Sequence, residues 1–207
     1  MNTSMTNPST EPALTESERI ARFAVQLQAS DIPPDVKELA KEHLLDTLGI
    51  AIASSGFDFG SVILKGVRAL GEGGPATGIG SGVSLPASSA ALLNGVLAHG
   101  LDYDDTHIAG IYHASAPALA ASFAAGQASN ASGNEVLVAF TAAMEIGCRL
   151  ALAAAGDLTH RSFHPTAVCG TFAAAVAAGI ERPNLDPDSI IFTHSRSAGC
   201  RLSIRLA

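Results

Sequence analysis

The densest group of chemically reactive side chains lies between Asn94 and Ser115, where the sequence reads NGVLAHGLDYDDTHIAGIYHAS. The rest of the chain is Ala-rich and apolar, so this concentration of carboxylates and imidazoles is unusual. These are the groups that orient and transfer protons near neutral pH. The candidate side chains are Asp102, Asp104, Asp105, Thr106, His107 and His113. We interpret the stretch as a loop that builds an active site.

Three interpretations of this loop compete. In the first, its carboxylates and imidazoles bind a divalent metal ion, although the loop contains neither HExxH nor an EF-hand pattern. In the second, the aspartates cap helices and accept bonds from backbone N–H groups, and we expect this of at least one of the three. In the third, an Asp orients a His that moves a proton at a carbon next to a carboxylate, while Thr106 positions the substrate. Only the third interpretation uses the whole cluster.

A second candidate is His164, which directly precedes a predicted helix start at Pro165 in the sequence RSFHPTAV. A helix N-terminus carries partial positive charge, which favours a neutral imidazole that can act as a general base and also attracts a substrate carboxylate. The alternative is that His164 only caps the helix. The remaining histidines are interpreted as structural or surface residues: His43, His99, His160 and His194.

The elements that position these side chains are predicted to be almost all helical. Capping boxes at Thr15–Glu18 and Ser132–Glu135 mark two helix starts, and prolines mark several others. A small hairpin is predicted near residues 75–84. Helical spacing predicts helices that begin near Glu16, Pro34, Gly60, Ala87, Pro117, Ser132, Pro165 and Asp186. Helices joined by short turns, with hardly a strand, predict an all-α domain.

Composition and charge exclude several classes of protein. A net charge of -7 without a Lys/Arg cluster argues against binding of nucleic acid. We predict that no stretch reaches the ~18 strongly apolar residues of a membrane span and that the protein does not associate with membranes. The three cysteines, Cys148, Cys169 and Cys200, have no metal or CxxC spacing, and the polar N-terminus has no signal-peptide pattern. We therefore expect a cytoplasmic protein.

Three motifs in order, NGVLAHGLDYDDTH, HAS and FHPTAVCGTFAAA, resemble the MmgE/PrpD family, which includes 2-methylcitrate dehydratase and cis-aconitate decarboxylase. The similarity extends from about Ala13 to Asp188. The family has HPS where this chain has HAS, so Ala114 stands in place of a proline. The resemblance implies an all-α domain that is paired in the full-length protein with a smaller α+β lid domain, in a homodimer without metal or organic cofactor.

The resemblance also implies a site and a reaction. The family's catalytic positions fall on Asp102, Thr106, His113 and His164. The substrates are small polycarboxylates of the citrate and aconitate type, from which a proton and water, or carbon dioxide, are removed by a cofactor-independent lyase. His113 and His164 would then serve as acid, base and carboxylate binders. Asp102 would fix an imidazole, and Thr106 would hydrogen-bond the substrate.

The C-terminal sequence departs from this resemblance. Family members are more than twice as long and carry a catalytic lysine and the lid further along the chain, whereas this chain closes with FTHSRSAGCRLSIRLA. We expect a disordered tail over residues 1–14, the helical domain over 15–190 and an aberrant or truncated tail over 191–207. Little turnover is expected from this chain alone. The alternative is a truncated, catalytically inactive helical remnant that only folds or associates with a partner.

Overall fold

The fold is all-α, as the sequence predicts. The computed structural model describes residues 14–154 and 156–181. The predicted tails, apart from Leu14, and the helix predicted at Asp186 lie outside the described residues. The described elements, in chain order, are α1 Glu16–Gln26, α2 Pro34–Ser55, α3 Asp58–Leu70, β1 Ala76–Thr77, β2 Ser84–Leu85, α4 Ala87–His99, a 3-10 turn Ile108–Gly110, α5 Ser115–Ser129, α6 Gly133–Ala154, α7 Asp157–His160 and α8 Pro165–Ile180.

Both predicted capping boxes are confirmed. The Thr15 backbone N–H donates to the Glu18 carboxylate at 2.7 Å, and the Glu18 N–H donates back to the Thr15 hydroxyl at 3.3 Å. Ser132 and Glu135 exchange the same two bonds at 2.7 Å and 3.3 Å. Each pair satisfies N–H groups that have no partner within the helix, and it thereby sets where α1 and α6 begin.

Helix α5 begins at Ser115, two residues before the predicted start at Pro117. The Asp105 carboxylate accepts the Ser115 backbone N–H at 3.0 Å, so the first turn is capped from the preceding loop. Proline is tolerated in a first helical turn because its missing N–H would have no helical partner there. A proline therefore lies near a helix start without fixing the first residue.

The predicted hairpin is confirmed, and a buried amide joins it to α4. Strands β1 and β2 pair antiparallel, with Ala76 opposite Leu85. The buried Asn94 side chain on α4 accepts the Ile79 N–H at 2.8 Å and donates to the Thr77 carbonyl at 3.1 Å. These bonds satisfy polar backbone groups beside the core, where unpaired groups would be costly.

Helices α5, α6 and α8 pack against one another at the centre, and α4 packs on α5. Small side chains allow this close packing. A Cβ at Gly170 of α8 would lie 3.2 Å from the Pro117 ring of α5. The buried alanines of α5 are Ala116, Ala118, Ala120, Ala121 and Ala124. The starts of α5 and α8 are thus held near each other, and both adjoin the predicted site loop.

Helix α6 corrects one sequence prediction. It is long and apolar enough to cross a membrane by length and composition, with a mean hydropathy of 1.7, whereas we predicted that no stretch would be. About half of that window, 56%, is buried inside the fold. Helix α6 packs against α5 and α8 as a core helix does. A core helix and a membrane-spanning helix can be equally apolar, so composition does not distinguish them.

A cavity of about 500 Å³ lies between α1, α6 and the last turn of α8. The predicted site residues are not among those that line it. Glu181 lines this cavity and is buried, and its Oε1 atom has no hydrogen-bond partner within the described part of the chain. Burial, and then the negative charge of Glu135, raise the pKa of Glu181 to about 7, although the Ser129 hydroxyl opposes the shift.

Gly147→Ala is expected to destabilise the fold. Gly147 lies on α6 against the fully buried Tyr112, and an added Cβ would come within 2.7 Å of the ring atoms Cε1 and Cζ. Overpacking of a core typically costs ~1–3 kcal/mol. Urea unfolding measures the loss. Gly66→Ala, at an exposed position of α3 where nothing lies within 4 Å, is the matched control and should instead gain ~0.5–1 kcal/mol. Equal effects of the two variants would contradict the packing against Tyr112.

Glu181→Gln is expected to change how stability depends on pH. Because the folded-state pKa is raised from 4.5 to about 7, the stability that protonated Glu181 contributes is full below pH 4.5 and is lost as the pH rises through about 7. Relative to Glu181→Gln, the wild type should therefore lose about 3 kcal/mol of unfolding free energy across that window, at ~1.4 kcal/mol per pKa unit. Urea unfolding at several pH values tests this, with the surface variant Glu42→Gln as control. Parallel curves for wild type and Glu181→Gln would refute it.

Candidate active site

The loop between α4 and α5 and the start of α8 bring three imidazoles to one place. His99 ends α4, His113 lies at the end of the loop and His164 is the N-cap of α8. The ring centroid of His99 lies 4.7 Å from that of His113 and 6.4 Å from that of His164. The structure thus brings His113 and His164, both predicted site residues, into one cluster through His99.

A buried carboxylate, Asp104, lies beside two of these rings. Its side chain is 0% exposed, and its Oδ1 and Oδ2 atoms lie 2.9 and 3.2 Å from His99 Nδ1. His113 Nδ1 lies 3.4 Å from the same Oδ1 atom. A buried charge must be paired or hydrogen-bonded, and these imidazoles meet that requirement. The carboxylate that contacts both rings at Nδ1 is therefore Asp104.

Asp102 lies beside the other nitrogen of the His113 ring. Its side chain is 80% exposed, and its Oδ1 atom lies 3.7 Å from His113 Nε2. Its φ of 55° places the backbone in the left-handed region, which Asp tolerates better than most residues. Asp102 therefore lies at the open side of His113, within reach of the imidazole that the resemblance assigns it to fix. The ring is held more closely from its Nδ1 side.

Thr106 and Thr166 complete the surroundings of His113. The Thr106 hydroxyl lies 3.5 Å from His113 Nδ1, and Thr106 is exposed. The His113 backbone N–H donates to the Thr166 hydroxyl in the first turn of α8 at 3.0 Å. This bond joins the loop to the helix that carries His164, so the two predicted histidines are positioned by one connected structure.

His164 caps α8, as the simpler of its two interpretations predicts. Its Nδ1 atom accepts the Ala167 backbone N–H at 3.3 Å, and Pro165 occupies the first helical position. The residue is exposed, so its Nε2 atom is not enclosed by the core. Capping fixes the orientation of the ring and leaves one nitrogen available for chemistry, so the two interpretations are compatible.

Asp105 and His107 support the loop itself. Asp105 caps α5, and its other oxygen lies 3.6 Å from His43 Nδ1 on α2. The His107 backbone N–H donates to the Tyr112 carbonyl at 2.8 Å, and the Tyr112 backbone N–H donates to the His107 carbonyl at 3.3 Å. Tyr112 is fully buried, and this burial raises the pKa of its phenol. These contacts give both residues structural roles, as the capping interpretation predicts for one aspartate.

Four side chains could contribute ligands to a metal ion. His99, Asp102, Asp104 and His113 each offer one atom, all within 4.8 Å of one another. Ligands of a tetrahedral zinc ion lie ~3.3 Å apart, given bonds of ~2.0–2.1 Å. The separation of 2.9 Å between His99 and Asp104 is a hydrogen-bond distance. An imidazole N–H bonded to a carboxylate explains this spacing.

The two described cysteines belong to the core. Burial raises the pKa of the thiols of Cys148 and Cys169 to about 11, so the thiolate is disfavoured near neutral pH. Both pack in the apolar cluster around Tyr112. The third, Cys200, lies outside the described residues.

Sequence reasoning missed two members of the cluster. His99 was interpreted as structural, and Asp104 was not separated from its neighbours in DYDD. A signal for His99 was present, since it occupies the last turn of α4 directly before the polar loop. Of the three aspartates in DYDD, Asp104 is the buried one. Its burial depends on the course of the loop and cannot be predicted from a local sequence pattern.

Together, the all-α fold and a site of imidazoles and carboxylates define a domain suited to proton transfer. Residues 18–189 match the MmgE/PrpD N-terminal domain, and the chain belongs to this family. It is 31% identical over 192 residues to the cis-aconitate decarboxylase-like protein oryM of Aspergillus oryzae, covering 89% of this chain and 40% of that protein.

Two further relatives are cis-aconitate decarboxylases. The Aspergillus terreus protein is 31% identical over 177 residues, which are 83% of this chain and 36% of that protein. The Mus musculus protein is 30% identical over 168 residues, which are 78% of this chain and 34% of that protein. The family is thus an enzyme family of lyase type. The chain spans less than half the length of these relatives.

Thr166→Val is expected to loosen the site loop. It removes the hydroxyl that accepts the His113 N–H and leaves that partly buried donor unpaired, at a cost of ~1–3 kcal/mol. Hydrogen exchange at the His113 amide should accelerate. Thr171→Val is the matched control, because the Thr171 hydroxyl donates to Val168 within the same helix. Unchanged exchange at His113 in Thr166→Val would contradict the tie between loop and helix.

Proposed function

We propose that this chain is the helical domain of a lyase that eliminates water or carbon dioxide from a citrate- or aconitate-like polycarboxylate. Asp102, Thr106, His113 and His164 are the proposed site residues. The observation that carries the proposal is the gathering of the His99, His113 and His164 rings next to a buried carboxylate, in a chain whose relatives include cis-aconitate decarboxylases.

The proposed chemistry needs a proton acceptor and a proton donor. In dehydration, the acceptor removes a proton from the carbon next to a carboxylate, the electron pair forms a double bond, and the donor protonates the departing hydroxyl as water. In decarboxylation, the carbon–carboxylate bond breaks, carbon dioxide leaves, and the donor protonates the carbon that receives the electron pair. Imidazoles suit both roles because they gain and lose protons near neutral pH.

The start of α8 offers a place for a substrate carboxylate. The N-terminus of this helix carries partial positive charge from its backbone dipoles, and His164 stands at that end. Thr106 is exposed and lies beside His113, where its hydroxyl can bond a substrate oxygen. Asp102 lies on the open side of His113 and can align the ring or a substrate hydroxyl.

We also propose a cytoplasmic homodimer that requires no metal or organic cofactor and binds neither nucleic acid nor membranes. Exposed apolar side chains on α2 and α3 support an apolar contact with another protein surface. They are Leu45, Ile52, Val62 and Leu70. The same surface fits the alternative function, a catalytically inactive helical domain that only folds or associates with a partner.

Binding of cis-aconitate by the chain tests the proposal. NMR titration of the histidine ring signals should show perturbation of His113 and His164, with turnover slow or absent when carbon dioxide release is measured. His113→Gln and His164→Gln should each weaken binding by about tenfold, because each loses a hydrogen bond to a charged group. His160→Gln, at an exposed histidine of α7, is the control.

Saturable binding that depends on both residues supports a substrate site, even where turnover is slow. Absence of binding by a chain that circular dichroism shows to be folded would favour the inactive remnant. Equal binding by wild type, His113→Gln and His164→Gln would place the ligand elsewhere and refute the assigned site.

A further inference from the structure

We propose that Asp104 is a positioning residue that holds His99 and His113 in the Nδ1–H tautomer, opposite to the tautomer of His164, and that His99 is a further proton acceptor of the site. The inference rests on the proposed function for its catalytic meaning. Its physical content, the proton positions on three rings, can be measured without turnover.

Burial of Asp104 is the first step of the argument. Its side chain has no exposed surface, so its negative charge must be met by donors within the protein. Among the described residues, the side-chain nitrogens that come within 3.5 Å of it are Nδ1 of His99 and Nδ1 of His113. The carboxylate therefore depends on these two rings for its side-chain donors.

The chemistry of the carboxylate then fixes the proton. An ionised carboxylate only accepts hydrogen bonds, so the His99 nitrogen at 2.9 Å must carry a hydrogen. A neutral imidazole has one N–H, which leaves Nε2 of His99 as a free lone pair. His113 lies between two carboxylates, with Asp104 Oδ1 at 3.4 Å from Nδ1 and Asp102 Oδ1 at 3.7 Å from Nε2. Asp102 is 80% exposed and is hydrated, whereas Asp104 is enclosed and needs a donor, so the nearer, buried carboxylate favours the Nδ1–H tautomer here as well. The Thr106 hydroxyl, 3.5 Å from Nδ1, can accept from that N–H.

His164 has the opposite arrangement. Its Nδ1 atom accepts the Ala167 backbone N–H at 3.3 Å, so this nitrogen carries no hydrogen, and the neutral ring is protonated at Nε2. The cluster thus combines two rings whose Nε2 atoms accept a proton with one ring whose Nε2 atom donates. This assigns removal of a proton from the substrate to His113 or His99, and delivery of a proton to His164.

The negative charge of Asp104 also matters after proton transfer. When Nε2 of His113 takes a proton from the substrate, the ring becomes a cation 3.4 Å from the buried Asp104 carboxylate. The attraction between the two stabilises the product of that step, as an orienting Asp does for a catalytic His. Asp104 itself contacts no substrate in this arrangement, since its side chain is enclosed.

Long-range ¹H–¹⁵N spectra of the ¹⁵N-labelled 207-residue chain test the inference, because they identify which ring nitrogen carries the hydrogen. His99→Gln, His113→Gln and His164→Gln assign the signals. In mildly alkaline buffer, where imidazoles are neutral, the wild type should show Nδ1–H for His99 and His113 and Nε2–H for His164.

Asp104→Asn keeps the shape of the side chain but replaces one acceptor oxygen with an NH₂ donor. The one remaining, uncharged oxygen favours Nδ1–H less strongly than the carboxylate does, so the tautomer ratio of at least one of the two rings should change by about tenfold or more toward Nε2–H. Asp105→Asn is the matched control, since Asp105 bonds Ser115 and lies near His43. This variant should leave the His99 and His113 tautomers unchanged.

The wild-type spectrum alone tests the predicted tautomers, so the inference can be refuted even where Asp104→Asn fails to fold. Nε2–H tautomers at His99 or His113 would overturn the inference, as would a folded Asp104→Asn with wild-type tautomers at both rings. The predicted tautomers together with failure to bind cis-aconitate would uphold the positioning role and reject the proposed function. The two failures are therefore distinguishable.

Discussion

The site depends on the pairing of one buried carboxylate with imidazoles. Asp104 is enclosed, yet a carboxylate excluded from water is stable only when donors replace its hydration. The fold provides them by ending α4 at His99 and by returning the loop so that His113 reaches the same oxygen. The course of the loop from residue 100 to 114 is therefore constrained by electrostatics as well as by apolar packing.

Three side chains hold that loop in place from different directions. Asp105 caps α5, Thr166 accepts the His113 N–H from α8, and Tyr112 is anchored in the core beside α6. Each contact satisfies a polar backbone group or buries a ring, and each joins the loop to a different helix. Alanines and glycines between α5, α6 and α8 let these helices come close enough to share one loop. Core packing and site geometry are thus mutually dependent.

Much of the fold can be predicted from the sequence because its signals are local. The capping boxes and helix-starting prolines act within one turn, and they predict the starts of α1, α2, α6 and α8. Which aspartate of DYDD is buried depends instead on chain segments that meet only in the folded state, so His99 and Asp104 were missed. Hydropathy failed for α6 because burial in a core and burial in a membrane favour the same residues.

The two helix ends at the site give their histidines different chemistry. His164 stands before the first turn of α8, where unpaired N–H groups require an acceptor, so its Nδ1 atom carries no hydrogen. His99 stands in the last turn of α4, and its Nδ1 atom meets an acceptor in Asp104. The His164 ring therefore accepts at Nδ1, because it caps a helix, and the His99 ring donates from Nδ1, because it pairs with a buried carboxylate. A proton donor and a proton acceptor can thus arise from the same residue type, and the bonds that separate their roles also stabilise the fold.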